Sequence, residues 1–219
     1  LREAETAGRL NHQNIVTIFD VGEEQELAYI AMDYLKGHDL SHHKQVDNLL
    51  PIHVVLDIGI EVAGALDFAH KHDVVHRDIK PANIVYDQAS NSVKVTDFGV
   101  ACLTNSSRTK TGTMLGSPSY MSPEQVDGKK VDGGSDLFSL GATLYQLSTG
   151  QLPFVSDTLA GLTHKICHEK QIDANKIRNE VPACLSRIIN KALRKQREDR
   201  YKTGAQMAKA LRMCRDSLN

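Results

Sequence analysis

The apolar positions follow two kinds of pattern, and the change from one to the other divides the chain near residue 36. Before it, apolar residues come in short β-rich runs, Ile15-Val16-Thr17-Ile18-Phe19 and Leu27-Ala28-Tyr29-Ile30-Ala31-Met32, with a polar segment over 22–26 between them. That pattern predicts a hairpin. Ahead of it, residues 1–9 are rich in Glu, Ala and Arg and predict a short helix, which Asn11-His12-Gln13-Asn14 stops. After Gly37 the period changes. From Pro51 to about His72 the residues Val55, Leu56, Ile60, Ala63, Leu66 and Ala69 recur near helical spacing and predict a largely buried helix.

Beyond that helix, Ile84-Val85-Tyr86 and Val93-Lys94-Val95 predict short strands around a turn at 87–92. Residues 100–123 are Ser/Thr-rich with little periodicity, and a loop of that length is usually functional or mobile. Four further helices are predicted at 135–149, about 158–168, 182–195 and 203–217. Pro182 suits the first turn of the third, and Thr203 and Gln206 have capping-box spacing at the start of the last.

Composition narrows the class. Lys+Arg number 26 against 27 Asp+Glu, a net charge of -1, which argues against a nucleic-acid or anionic-membrane surface. The apolar stretch from Val54 to Leu66 is interrupted by Asp57 and Glu61, well short of the roughly 20 apolar residues of a membrane span. Cys102, Cys167, Cys184 and Cys214 form no C-x-x-C pair, so free thiols in a reducing compartment are expected. The chain opens on Leu1 in what reads as mid-helix, which suggests an N-terminal truncation.

The candidate chemistry lies in two motifs. In His76-Arg77-Asp78-Ile79-Lys80-Pro81-Ala82-Asn83 the asparagine follows the aspartate by five residues, and Asp97-Phe98-Gly99 begins fourteen residues after Asn83. Phosphoryl transfer needs charge neutralisation, hard oxygen ligands for a metal and a carboxylate to orient the attacking hydroxyl, and these motifs supply such groups in order. Singly, each residue could be a turn aspartate or a solvated lysine; their joint spacing makes that reading improbable. Together they resemble the eukaryotic-like (Hanks-type) serine/threonine protein kinase family, in its bacterial branch.

The resemblance covers essentially the whole chain and implies an α+β, protein-kinase-like fold. A partial small β-lobe over 1–35, including the hinge, would join a mostly helical large lobe over 36–219, with ATP in the cleft. Asp78 would accept the proton of the substrate hydroxyl and Lys80 would stabilise the γ-phosphate. Asn83 and Asp97 would hold Mg²⁺, or Mn²⁺ in its place. Met32 would sit behind the adenine, backbone groups of Asp33 to Leu35 would meet its edge, Asp39 would reach the ribose, and Val85 would also contact the nucleotide. Lys80 followed by Pro81 resembles the serine/threonine branch, and Tyr120-Met121-Ser122-Pro123-Glu124-Gln125 resembles bacterial members.

Supporting roles follow from the same resemblance. Segment 116–124 would end the activation segment and bind peptide, with Ser117 contacting the catalytic Asp and Lys. Glu124 would pair with Arg200, and Asp136 would brace the catalytic-loop backbone. Arg77 would bind a phosphate on the activation segment, with Thr109 and Thr111 as the candidates. Glu3 would be the helix glutamate that pairs with a strand lysine. That lysine and the glycine-rich loop are absent from the sequence, which truncation would explain.

The expected partners are protein substrates with Ser or Thr acceptors and, in a dimer, the chain itself. Nucleic acid is not among them, membrane attachment would come only from segments outside this chain, and the location would be cytoplasmic. Two alternatives stay open: a pseudokinase-like or inactive scaffold, and a small-molecule kinase. The second would not need segment 116–124. Of the histidines, His70, His72 and His76 are read as packing rather than metal ligands, His42-His43 as solvated, and the 191–200 charge run as an exposed helix end.

Overall fold

The computed structural model describes residues 10–24, 27–98 and 118–218. The expected helix at 1–9 with Glu3, and the segment carrying Gly99, Cys102, Thr109, Thr111 and Ser117, lie outside the described residues. Strands β1 (Ile18–Glu24) and β2 (Leu27–Met32) form an antiparallel pair, and β3 (His38–Asp39), β4 (Ile84–Asp87) and β5 (Ser92–Val95) form a second antiparallel sheet in the order β3-β4-β5. The helices are α1 (Ile52–Lys71), α2 (Pro123–Val126), α3 (Gly133–Thr149), α4 (Leu159–His168), α5 (Ala174–Ile177), α6 (Ala183–Ala192) and α7 (Gly204–Asp216). A small sheet region thus joins a larger, mostly helical part, the α+β architecture that the sequence motifs imply.

The first hairpin strand differs from the expectation. Ile15 and Val16 are buried, and they lie beside β5 rather than in the hairpin: Val16 N donates to Val95 O and Val95 N donates to Asn14 O. The strand proper starts at Ile18 and runs on through the polar residues to Glu24, because its main-chain ladder with β2 needs no apolar side chains.

Helix α1 is central. Val55, Leu56, Ile58, Ile60, Val62, Ala63, Leu66 and Ala69 are all buried, a wider apolar surface than one face requires, because both α3 and α7 pack on it. Close approach is possible at small residues: a Cβ on Gly204 would lie 2.3 Å from the Ala63 carbonyl oxygen. Asp67 of α1 then accepts the Ala205 N–H at 2.8 Å, satisfying an N-terminal amide of α7.

Helix α3 is buried from Ser135 to Thr149. Three of its hydroxyls escape the cost of burial by bonding to carbonyls one turn back, Ser139 to Ser135, Thr143 to Ser139 and Thr149 to Tyr145, whereas the Ser148 hydroxyl is buried without a partner among the described residues. Asp132 caps its start through the Gly134 N–H, and Gly150, at φ 76°, supplies the left-handed residue that ends it.

Three local expectations are corrected. Cys184 and Cys214 are joined in a disulfide between α6 and α7, so they are not free thiols: spacing along the chain hides that the two helices pack side by side. Helix α6 stops at Ala192, short of Lys195, and the charge run after it is not an exposed helix end: Arg194, Gln196, Glu198 and Asp199 are exposed, but Lys195 is half-buried and Arg200 buried. Lys195 Nζ lies 3.8 Å from the Phe154 ring centre and donates to the carbonyls of Lys165 and Ile166 at the end of α4; burial lowers its pKa to about 8. At α7, Thr203 accepts the Gln206 N–H, but Gln206 reaches back to Lys202 N–H and not to Thr203, so only half the capping box forms. A full box occurs instead at Ser122 and Gln125.

Candidate active site

The loop between α1 and β4 owes its shape to one buried carboxylate. Asp136, in the first turn of α3 and 1% exposed, accepts the His76 N–H at 2.9 Å and the His70 side chain at 2.8 Å on Oδ2, and the Arg77 N–H at 2.8 Å on Oδ1. Arg77 needs this support, for its φ of 70° is strained in any residue with a β-carbon. His70 is therefore more than packing: it completes the Asp136 contact from the end of α1.

His76 is fully buried and joins this loop to the strand end that follows β5. Its Nε2 donates to Thr96 O at 2.7 Å, since a carbonyl can only accept, which leaves Nδ1 to accept the Asp78 N–H at 3.2 Å. The ring packs edge-on against buried Phe98, with centres 4.6 Å apart. Thr96 N donates to Asn83 O at 2.9 Å, a second link between the same two segments.

These links bring the polar side chains of the loop together. Lys80 Nζ donates to Asp78 Oδ2 at 2.6 Å, and Asn83 Nδ2 donates to Asp78 O at 2.8 Å and to Oδ2 at 3.1 Å. The Asp78 side chain is 38% exposed, so its held carboxylate still faces solvent. With both Nδ2 protons directed at Asp78, the carboxamide oxygen of Asn83 points the other way. Asp97, exposed and at φ 63°, follows Thr96 on the adjoining segment. A lysine-held carboxylate, a carboxamide oxygen and an exposed carboxylate make an arrangement suited to orienting a hydroxyl and accepting a hard cation.

The other candidate nucleotide residues lie on β2, β3 and β4 or directly after β2. Val85 of β4 is paired across the sheet with Asp39 of β3, so the register sets these two side by side. Asp39 accepts the Ser41 N–H at 2.8 Å; burial works against its ionisation, but the Ser41 bonds outweigh it and its pKa is lowered. Met32 ends β2 and is 42% exposed. Asp33 is pinned at both ends to Thr17, its N–H donating to Thr17 O and its Oδ2 accepting the Thr17 N–H, and the hydrogen bonds from the Thr17 side chain and main chain to the carboxylate lower its pKa. Leu35 is partly buried.

On the far side of Arg77, α2 brings up the segment that precedes it. Glu124 Oε1 and Oε2 accept from Arg200 at 2.8 and 2.9 Å, and Ser135 Oγ also donates to Oε1. Burial alone would raise the Glu124 pKa, but Arg200 and Ser135 outweigh it and hold it down at about 2. Two contributors carry no role in the sequence reading: His70, set aside as packing, and Gln125, whose Nε2 donates to Arg77 O at 2.7 Å. The signal for Gln125 was present as Ser122-x-x-Gln125, a capping-box spacing. Among the described residues no group of three or more His, Cys, Asp or Glu could hold a metal, and no helix is long and apolar enough to cross a membrane.

Comparison with known proteins agrees with this geometry. The serine/threonine-protein kinase PknB of Mycobacterium leprae is 38% identical over 212 residues, covering 94% of this chain and 34% of that protein. PrkC of Bacillus subtilis, also a serine/threonine-protein kinase, is 38% identical over 207 residues, covering 94% and 32%. The chain thus spans about a third of these curated relatives. Among solved structures, the PknI kinase domain of Mycobacterium tuberculosis superposes with a TM-score of 0.76 at 31% identity, over 97% of this chain and 75% of that one. Rad53 1-466 in complex with AMP-PNP gives a TM-score of 0.81 at 25% identity, over 94% and 52%. The family model described as protein kinase domain matches residues 1–212, and the chain belongs to that family, as a catalytic domain closely related to the bacterial Hanks-type serine/threonine kinases.

Proposed function

We propose that this chain is the catalytic domain of a protein that transfers the γ-phosphate of ATP to serine or threonine hydroxyls of proteins. The observation that carries the reading is the Asp78 carboxylate, partly exposed yet fixed by Lys80 Nζ and Asn83 Nδ2. Held so, Asp78 orients the acceptor hydroxyl and takes its proton as the oxygen bonds to the γ-phosphorus and the bond to ADP breaks. Lys80, beside it, offsets the charge on the transferring phosphoryl group. The kinase names of the relatives and the AMP-PNP bound to Rad53 support the same substrate pair.

The oxygens of Asn83 and Asp97 fit a hard divalent cation, and Mg²⁺ there would neutralise phosphate charge. With its N–H committed to Thr17, Asp33 would meet the adenine edge through its carbonyl, near Met32, the Leu35 backbone and Val85; Asp39 would meet the ribose. Arg77 would receive a phosphate on Thr109 or Thr111, Ser117 would contact Asp78 and Lys80, and Glu3 would pair with a strand lysine. The reading carries with it a cytoplasmic catalytic domain whose acceptors include a second copy of the chain.

The test compares the full-length protein, in which the glycine-rich loop and strand lysine are expected, with its Asp78→Asn variant for ATP-dependent phosphate incorporation into itself and into a generic Ser/Thr protein. The variant is expected to lose at least about a hundredfold, given the 10²–10⁴ that a positioned acid–base group contributes. Equal incorporation by the two proteins sinks the mechanism.

A further inference from the structure

We infer that Gln125 is a positioning residue for the catalytic aspartate, fixing the peptide plane between Arg77 and Asp78 from the helix that follows the peptide-binding segment. The inference rests on the proposed role of Asp78 and deepens it.

Its basis is an accounting of main-chain bonds at that plane. The Arg77 carbonyl accepts Gln125 Nε2 at 2.7 Å, and the Asp78 N–H donates to His76 Nδ1 at 3.2 Å, so both polar ends of one peptide unit are held by side chains. The preceding unit is fixed as well, since the Arg77 N–H donates to Asp136 Oδ1. Arg77 sits at φ 70°, and a strained residue persists only where its surroundings over-determine it. Asp136 and Gln125 provide that at the two polar groups of its main chain, one from α3 and the other from α2.

The orientation of the Gln125 amide follows from its partners. The Ser122 N–H can only donate, so the atom it meets at 3.0 Å is Oε1, and the amide nitrogen must be the one facing Arg77 O, which can only accept. One side chain thereby closes the start of α2 and reaches the residue before Asp78. Glu124, its neighbour, is anchored by Arg200, so the platform from which Gln125 reaches is itself rigid. Movement of the peptide-binding segment at its α2 end is then passed to the catalytic loop through the bond from Gln125 to the Arg77 carbonyl. A displacement of the reacting carboxylate by about 1 Å is enough to cost about a hundredfold in rate.

Gln125→Glu separates the two halves of this role. The carboxylate still accepts the Ser122 N–H but cannot donate to Arg77 O. Expected is a fall in kcat of at least about tenfold, with KM for ATP and for a peptide substrate within about twofold of the unaltered protein. Amide exchange over 76–83 should quicken about tenfold while α3 and α7 keep their protection. Gln125→Met, which fills the space without a donor, should do the same. Thr203→Ala, which removes a cap of the same kind from α7, should change neither reading, and this tells positioning apart from general loss of stability.

Unchanged exchange over 76–83 in both Gln125 variants overturns the clamp, and faster exchange with unchanged kcat overturns its link to catalysis. Exchange requires no turnover. The clamp is therefore judged even if Asp78→Asn were to disprove phosphoryl transfer itself.

Discussion

Replacing Glu124 by Gln tests whether the buried ion pair between α2 and the loop before α7 stabilises the fold by the amount its titration implies. The Arg200 side chain is fully buried; besides both Glu124 oxygens it donates to the carbonyls of Gly134, Arg194 and Lys195. Glu124 is held at about 2 instead of 4.5. A carboxylate depressed in the folded state contributes stability that is complete above its unfolded value and is lost as pH falls toward the folded one. A fall from 4.5 to about 2 corresponds to about 3 kcal/mol at pH 7, of which about 2 kcal/mol should be gone by pH 3.

Gln keeps the shape but leaves the guanidinium buried without its counter-charge, a change that costs about 3–5 kcal/mol in comparable pairs. Urea unfolding of the two proteins at pH 7, 5 and 3, followed by circular dichroism, measures the gap directly. The expected gap is about 3 kcal/mol at pH 7 and narrows by about 2 kcal/mol at pH 3. A gap below about 1 kcal/mol at pH 7, or one that stays constant with pH, would refute the assignment of stability to this pair.

Three further outcomes follow from the packing. Asp136→Asn puts an amide donor where one carboxylate oxygen accepts, so it should cost about 2–4 kcal/mol in denaturant titrations and lower kcat more than it alters KM; an unchanged kcat would show that the loop does not depend on this brace. Gly204→Ala forces a methyl to within 2.3 Å of the Ala63 carbonyl and should lower the unfolding free energy by about 1–3 kcal/mol, and an unshifted melting curve would mean that α7 can move off α1 freely. Reduction of Cys184–Cys214, which closes a separation of 30 residues, should lower stability by roughly 3.6 kcal/mol in the loop-entropy description, read as the difference between unfolding curves with and without reductant.

Much of the helical part was legible because its helices bury apolar residues at regular spacing: 52–71, 133–149, 159–168 and 204–216 all fall within a few residues of the periodic segments. The β-rich runs were harder to place. Ile15 and Val16 look like the start of the hairpin, yet they pair with β5, and periodicity cannot say which strand a run will join. Capping residues were ambiguous for a similar reason. Ser122-x-x-Gln125 and Thr203-x-x-Gln206 have the same spacing, but only the first closes into a full box, since which backbone N–H the glutamine meets depends on the path of the chain before the helix.

The sequence by itself determined the chemistry on offer: an aspartate, a lysine and an asparagine at fixed short spacing, with a second aspartate one strand pair later. Short spacing confines such residues to one loop whatever the rest of the chain does. The family resemblance already implied that Asp136 braces that loop, and tertiary structure decided which atoms it meets and what else holds the loop. His70, Gln125 and Asp136 lie at separations of 66, 48 and 59 or 60 residues from the groups they bind, and the Cys184–Cys214 link depends on two helices meeting. These contacts arise because buried polar groups must find partners wherever packing places them, and no local pattern records who those partners are.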